Sequence, residues 1–384
     1  MKKNTETPEV YLQKLLNERY EFRYNVITEQ VEFKMKTNTT QGETFSLLDR
    51  RQLNSLCLEL LEEGVRCWDK DVQRYIYSTR IPAYHPFKTY LNNLPAWDGK
   101  DRVEPLIRRI TNEGICIKAV YYWLMAMVSQ WMGNESQTGN SIVPILISLE
   151  QGYGKSTFCR NLLPHSLRPY FTDMVDLSAR GKIDRRLTQN GLINLDEFDR
   201  IQLRQMPFLK NLIQVKDVSI NKAYHSYFSN QPRIASFIAT SNRPDLLTDP
   251  SGSRRFICME LEDQIDNSPF DHDQFYAELK WFIDAGERTW LTHKEEELLQ
   301  EHNKKYYRIS SDLSLFNQYY TKGTKTQGEW LTLNDIIHRM TNHSLAAKDV
   351  NPYVLSRELV RIGIKKEHHA NGNFYLVTER KLSA

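Results

Sequence analysis

The feature that most constrains this chain is an unbroken apolar run, Ile142-Val143-Pro144-Ile145-Leu146-Ile147, that leads into Gln151-Gly152-Tyr153-Gly154-Lys155-Ser156-Thr157. A run of that length without polar alternation reads as a strand buried on both faces, so helices must cover its sheet on either side. The residues that follow, Thr157-Phe158-Cys159-Arg160-Asn161-Leu162-Leu163, read as a helix. Strand, glycine-rich turn and helix, with Lys-Ser at the helix start, make a good anion cradle. Backbone N–H groups of the turn and the positive end of the helix dipole converge on one point and hold a phosphate chain. In that geometry Lys155 reaches the β- and γ-phosphates of ATP and the Ser156 hydroxyl ligates Mg²⁺, with Gly152, Tyr153, Gly154 and Thr157 completing the loop. The full pattern would place glycine at position 149, where this chain has Leu149. The expectation is a working cradle with altered entry geometry.

Two more apolar runs follow, Gly191-Leu192-Ile193-Asn194-Leu195 and Ile234-Ala235-Ser236-Phe237-Ile238-Ala239, with helical segments between them. Strands alternating with helices imply an α/β core built on a parallel sheet. The first run ends in Asp196-Glu197. A carboxylate at the end of a buried strand is costly unless it is paired or metal-bound. Asp196 is therefore assigned to Mg²⁺ and Glu197 to polarising an attacking water. The second run ends in Thr240-Ser241-Asn242, and the Asn242 amide suits orienting that water and sensing the γ-phosphate. Further on stand Arg254 and Arg255. In ring-shaped ATPases such an arginine enters the neighbouring subunit's site; the plainer reading is a solvated charge pair.

Outside this core the patterns change. Residues 9–34 open as a helix carried by Val10, Leu12, Leu15 and Leu16, then continue as strand-like segments around a Thr28-Glu29 turn. Residues 46–80 and 103–132 read as helical, and two prolines between 81 and 87 mark a link. Beyond residue 312, helices over 331–340 and 354–362 precede two strand-like segments flanking Asn371-Gly372, a hairpin signal. That combination predicts a small winged-helix-like unit. Its Arg357, Arg361, Lys365 and Lys366 form a modest basic cluster. The five cysteines show neither CxxC nor zinc spacing, and no apolar run approaches the ~20 residues of a membrane span. A cytoplasmic protein with no membrane partner is expected. A net charge of +3 neither demands nor excludes nucleic acid, so any such face is local.

The run of motifs resembles the virulence-associated protein E family, P-loop ATPases of phages and mobile elements. The resemblance is carried by Gly139-Asn140-Ser141-Ile142-Val143-Pro144, Gln151 to Phe158, Asn194-Leu195-Asp196-Glu197-Phe198-Asp199, Ala239 to Asn242 and Asp249 to Phe256. Tyr84-His85-Pro86-Phe87 and Leu94 to Arg102 also resemble the region upstream of that core. The C-terminal unit resembles a small domain appended in versions from gut Bacteroides-type bacteria. The family is similar to superfamily 3 helicases, which implies an AAA+-like P-loop core and a homo-oligomeric ring, a hexamer. Many relatives carry a primase; here any primase would be a separate chain. Superfamily 3 rings grip single-stranded DNA in the pore with a hairpin before the third core strand. Val218 to Lys222 and Gln231 to Ile234 match its arms, and Lys222 and His225 match its tip, with Tyr224 or Tyr227 for base stacking. The same stretch also reads as a surface loop.

The overall expectation is an α/β P-loop NTPase core over 136–311, preceded by a helical N-terminal region and followed by the winged-helix-like domain over 312–384. The N-terminal region is α+β over 1–80 and helical over 81–135. The implied activity is a Mg²⁺-dependent ATPase acting as a ring-forming DNA helicase or translocase in replication of a phage or mobile element. The C-terminal domain offers a second contact, to duplex DNA. The alternative is an ATPase switch that remodels or recruits a partner such as a primase or recombinase.

Overall fold

The computed structural model describes residues 7–36, 44–133, 139–178, 180–221, 228–247, 254–324, 326–370 and 372–380. The chain forms two units, one within residues 1–244 and 249–305 and the other within 245–248 and 306–384.

The first unit begins with α1 (Pro8–Arg19), β1 (Tyr20–Asn25), β2 (Gln30–Met35), β3 (Ser46–Leu47), α2 (Arg50–Glu62), α3 (Asp69–Ile76) and β4 (Ala83–Tyr84). The strands form a sheet in the order β3-β2-β1-β4 over a core that includes Leu12, Leu16, Phe22, Leu56 and Ile76. The helical stretch predicted over 46–80 is divided. Gly64, at φ 77°, ends α2 in the left-handed conformation, and the Val65 N–H closes back on the Leu60 carbonyl at 2.9 Å. Next come α4 (Pro86–Asn92), α5 (Val103–Ile107) and α6 (Gly114–Met132). The helix predicted over 103–132 is likewise two helices, because the Thr111 hydroxyl accepts the Glu113 N–H at 3.2 Å and turns the chain. Trp123, Met127 and Trp131 are buried around α6, which packs against the main sheet.

The segment that carries that sheet runs through β5 (Val143–Ile147), α7 (Lys155–Asn161), β6 (Phe171–Thr172), α8 (Arg180–Gln189), β7 (Leu192–Leu195), α9 (Met206–Gln214), β8 (Asp217–Asn221), β9 (Phe228–Pro232), β10 (Ser236–Ser241), β11 (Phe256–Glu260), α10 (His272–Asp284) and α11 (His293–His302). Five strands run parallel in the order β11-β5-β10-β7-β6, flanked by helices. Every residue of β5, β7 and β10 is buried, including the polar Asn194, Ser236, Thr240 and Ser241. The chain order reverses around β5: β6 and β7 lie beyond β10 on one side, β11 on the other. Open α/β sheets bind ligands outside the carboxyl ends of strands at such a switch. β8 and β9 pair apart as an antiparallel hairpin. Sequence patterning missed β6, which is two residues long, and β11, whose short apolar run begins directly behind two arginines.

The second unit contains α12 (Ser311–Tyr319), β12 (Tyr320–Lys322), β13 (Glu329–Thr332), α13 (Leu333–His343), α14 (Pro352–Arg361), β14 (Lys366–His369) and β15 (Gly372–Glu379). β15 pairs antiparallel with the other three strands. The helix predicted from Leu331 starts at Leu333, because Thr332 caps it. The Thr332 hydroxyl accepts the Asp335 N–H, and Asp335 accepts the Thr332 N–H, each at 3.2 Å. That frees Glu329–Thr332 to pair with β15. The predicted hairpin forms as β14 and β15; Asn371 itself lies outside the described residues.

One buried side chain ties the main sheet to the base of the β8–β9 hairpin. The sequence reading ran the second arm through Ile234, but β9 stops at Pro232 and Arg233 turns inward, 2% exposed. Its guanidinium donates to five carbonyls: Leu212 at 3.0 Å, Ile213 at 2.6 Å, Val215 at 3.3 Å, Ala235 at 2.6 Å and Asn140 at 3.1 Å. Three of these end α9, where a cation also meets the negative end of the helix dipole. Burial without a carboxylate partner pushes the Arg233 pKa down to about 9. Gly139 must be glycine here, since a Cβ would lie 2.6 Å from the Val215 carbonyl and 3.0 Å from the Arg233 Nη1. Arg233→Leu strands those carbonyls, so urea denaturation should show a loss of about 3 kcal/mol or more. An unchanged midpoint would contradict this bracing role.

Candidate functional site

The register of the parallel strands levels their carboxyl ends. Ser241 stands beside Ile147, and Ala239 beside both Ile145 and Leu195. The residues just beyond each end therefore meet at one edge of the sheet: Ser148 from β5, Asp196 from β7, and Thr240, Ser241 and Asn242 from β10. Lys155, the first residue of α7, reaches back to this edge and is 9% exposed. Its Nζ donates to the Asn242 Oδ1 at 2.9 Å and to the Ser148 Oγ. Both acceptors are neutral, and among the described residues Lys155 makes no ion pair. Burial lowers the Lys155 pKa, while the charges of Asp196 and Asp199 oppose that shift.

A carboxylate lies beside it. The Asp196 Oδ1 accepts from the Thr240 hydroxyl and, at 3.4 Å, from the Ser156 hydroxyl. Asp199 accepts the Ser241 hydroxyl at 3.0 Å and the Asn242 N–H at 3.4 Å, fixing the end of β10 from below the amide. Glu197 stands slightly apart. It adopts φ 52°, a left-handed conformation uncommon for a non-glycine residue, and its carboxylate pairs with Arg200 at 2.7 Å.

The loop between β5 and α7 turns on Gly152 at φ 85° and Gly154 at φ 78°. Leu149 has no positive φ and its side chain is 69% exposed, so the missing glycine costs the backbone nothing. Among the described residues, the N–H groups from Leu149 to Thr157 have no acceptor. A run of free N–H groups beside a buried ammonium lacking a carboxylate fits a polyanion such as a triphosphate. The Ser156 hydroxyl and Asp196 carboxylate fit Mg²⁺, which commonly takes one or two protein oxygens and completes its shell with water and phosphate.

Of the residues singled out from sequence, Lys155, Ser156, Asp196 and Asn242 come together here. Glu197 borders them, and Thr157 is exposed in the first turn of α7. Arg254 and Arg255 are elsewhere. They precede β11, whose Phe256 pairs with Val143 at the start of β5, so one strand length of about 13 Å separates them from the loop. Arg254 lies 3.3 Å from Glu296. Lys222, His225, Tyr224 and Tyr227 lie outside the described residues, although the arms that flank them pair. Ser148 and Asp199 were missed. Ser148 directly follows an apolar run and Asp199 stands two residues beyond an acidic pair, weak signals without the register that aligns the strand ends.

The described residues define a mixed α/β protein whose parallel sheet, flanked by helices, gathers a lysine, a hydroxyl, a carboxylate and an amide at its carboxyl edge. The chain belongs to the virulence-associated protein E-like domain family, whose model matches residues 91–308, more than half of the chain. Residues 312–377 match a domain of unknown function described from B. theta (DUF3874). Among curated proteins there is no match. Among solved structures the chain is similar to the apo C-terminal region of NrS-1, at 12% identity and a TM-score of 0.48 over 98% of this chain and 100% of that one. An A-form apo structure of the same region is similar at 15% identity and a TM-score of 0.41, over 80% and 70%. No helix among the described residues is long and apolar enough to cross a membrane.

A buried, unneutralised cation is a cost carried by the ligand-free protein. Lys155→Met should therefore raise the thermal midpoint of the ligand-free chain, a gain of about 1 kcal/mol. A lowered midpoint would show that Lys155 is structural.

Proposed function

We propose that this protein is a Mg²⁺-dependent ATPase that works as a ring-forming DNA helicase or translocase in the replication of a phage or mobile element. The observation that carries the reading is the Lys155 ammonium, held between Ser148 and Asn242 under a loop of unpaired N–H groups. Mg·ATP supplies the scissile phosphoanhydride and a divalent charge to offset the phosphates. Lys155 and the N–H groups of Gly152 to Ser156 would bind and orient the phosphates, and Ser156 and Asp196 would hold the metal. Glu197 accepts the proton of the attacking water, released from Arg200 by a small rotation. Asn242, hydrogen-bonded to Lys155, reads the γ-phosphate and orients that water.

Distance supports the ring reading. Arg254 and Arg255 lie at the opposite edge of the sheet from their own loop, so an arginine acting on transferring phosphate must serve a neighbour's site. We assign the assembly as a hexamer, with single-stranded DNA in the pore gripped by the β8–β9 hairpin through Lys222 and His225. The second unit we read as a winged-helix-like domain for duplex DNA, its α13, α14 and β14–β15 hairpin matching that form. A primase on a separate chain is the expected partner.

The test is ATP turnover by the purified chain with and without single-stranded DNA, beside Glu197→Gln. Wild type should hydrolyse ATP and be stimulated severalfold by DNA, and Glu197→Gln should lose at least about a hundredfold in kcat. Turnover indifferent to DNA would overturn the motor in favour of a switch that remodels a protein partner. Equal turnover in Glu197→Gln would overturn the assigned base.

A further inference from the structure

The free N–H groups of the loop are only half of its backbone; the carbonyls have partners. The Ser148 Oγ donates to the Glu150 carbonyl at 2.7 Å. The next three ties come from the segment after β11. The Gln264 Nε2 donates to the Gly152 carbonyl at 3.3 Å, the Ile265 N–H to the Tyr153 carbonyl at 3.0 Å and the Asn267 Nδ2 to the Gly154 carbonyl at 3.2 Å. In a planar trans peptide the C=O and the following N–H point in opposite directions. Tying the carbonyls of 152, 153 and 154 outward therefore aims the N–H groups of Tyr153, Gly154 and Lys155 to the other side of the loop.

The segment making these ties is itself held. The Arg109 Nη1, from just after α5, donates to the carbonyls of Asp266 at 2.9 Å and Ser268 at 2.8 Å, and its Nε lies 3.6 Å from the Asp266 carboxylate. Ile265 is buried in the main core, and Asn267 packs so closely that a Cβ on Gly154 would lie 2.3 Å from its Nδ2. No motif reading marked this stretch, since its three contacts are one backbone N–H and two amide side chains.

We propose that residues 264–267 form a strap that preorganises the phosphate loop, with Gln264 and Asn267 as positioning residues and Arg109 as the anchor. The proposal rests on the phosphate-binding reading of that loop. Preorganised N–H groups bind without first losing backbone freedom, so the strap acts mainly on nucleotide affinity. It also ties the region before the core, through Arg109, to the nucleotide site.

The experiment is steady-state ATP turnover by the full chain as wild type, Asn267→Ala, Gln264→Ala and Asn267→Asp, with thermal midpoints of the ligand-free proteins. Asn267→Ala should raise KM for ATP about tenfold with kcat within about twofold, and Gln264→Ala should raise it less. Asn267→Asp keeps the shape, loses the donor and sets a charge against the Gly154 carbonyl, so it should do no better than alanine. If Asn267→Ala fails to fold, Gln264→Ala carries the test, because that side chain is exposed and its hydrogen bond is to the loop. Variants with wild-type KM beside an active wild type overturn the strap, as does a loss of kcat at unchanged KM. A wild type that neither turns over nor binds Mg·ATP overturns the nucleotide reading instead, and one that binds without turnover carries the same comparison on Kd.

Discussion

A buried lysine ammonium, without a carboxylate partner among the described residues, is the interaction on which the site depends. Lys155 is the first residue of α7, so its position is set by the loop that ends β5, and its Nζ can reach neutral oxygens only because β5 and β10 finish level. The nearby carboxylates are close enough to favour its charge and too engaged to neutralise it. Asp196 is taken by the Thr240 and Ser156 hydroxyls, and Asp199 by Ser241 and the Asn242 backbone. The result is a buried positive centre that donates to neutral oxygens. Sites that store free energy this way are characteristic of function, because selection for stability alone would remove the charge.

Around that centre the architecture is a set of braces. Arg233 gathers the end of α9, the entry to β10 and the entry to β5 into one network of carbonyls. Asn140 adds to it by donating to the Trp123 carbonyl and the Ser236 hydroxyl, each at 3.0 Å. Gly139 and Asn140, which carry part of the family resemblance, thus have a scaffolding role at the amino edge of the sheet. The base of the hairpin and the entry to β10 share Arg233 as a common anchor.

Much of this was legible in the sequence, and the reasons are specific. The three central strands announced themselves because strands buried on both faces are mostly apolar, Asp196 and Asn242 because they follow those strands, and Lys155 because it closes the glycine-rich turn. Less was legible wherever the cause is tertiary. β6 is too short to have a pattern, and β11 forms because β5 offers it an edge. Gly64 and Thr111 each break a long helical pattern through one local hydrogen bond that periodicity does not weigh. Thr332 does the same at a helix start, converting an expected first turn into strand β13. Ser148 and Asp199 are single polar residues whose roles exist only once strand register brings them beside Lys155 and Asn242. The strap of residues 264–267 is less visible still, since it works through backbone carbonyls.

The central claim is that the carboxyl edge of the sheet binds Mg·ATP, and calorimetric titration of the wild-type chain tests it most directly. One saturable site per chain is predicted, in the micromolar range of about 1–100 μM typical of nucleotide-hydrolysing enzymes, with affinity falling when Mg²⁺ is removed by chelation. Absence of binding up to millimolar Mg·ATP, or binding equally tight without Mg²⁺, would contradict the account.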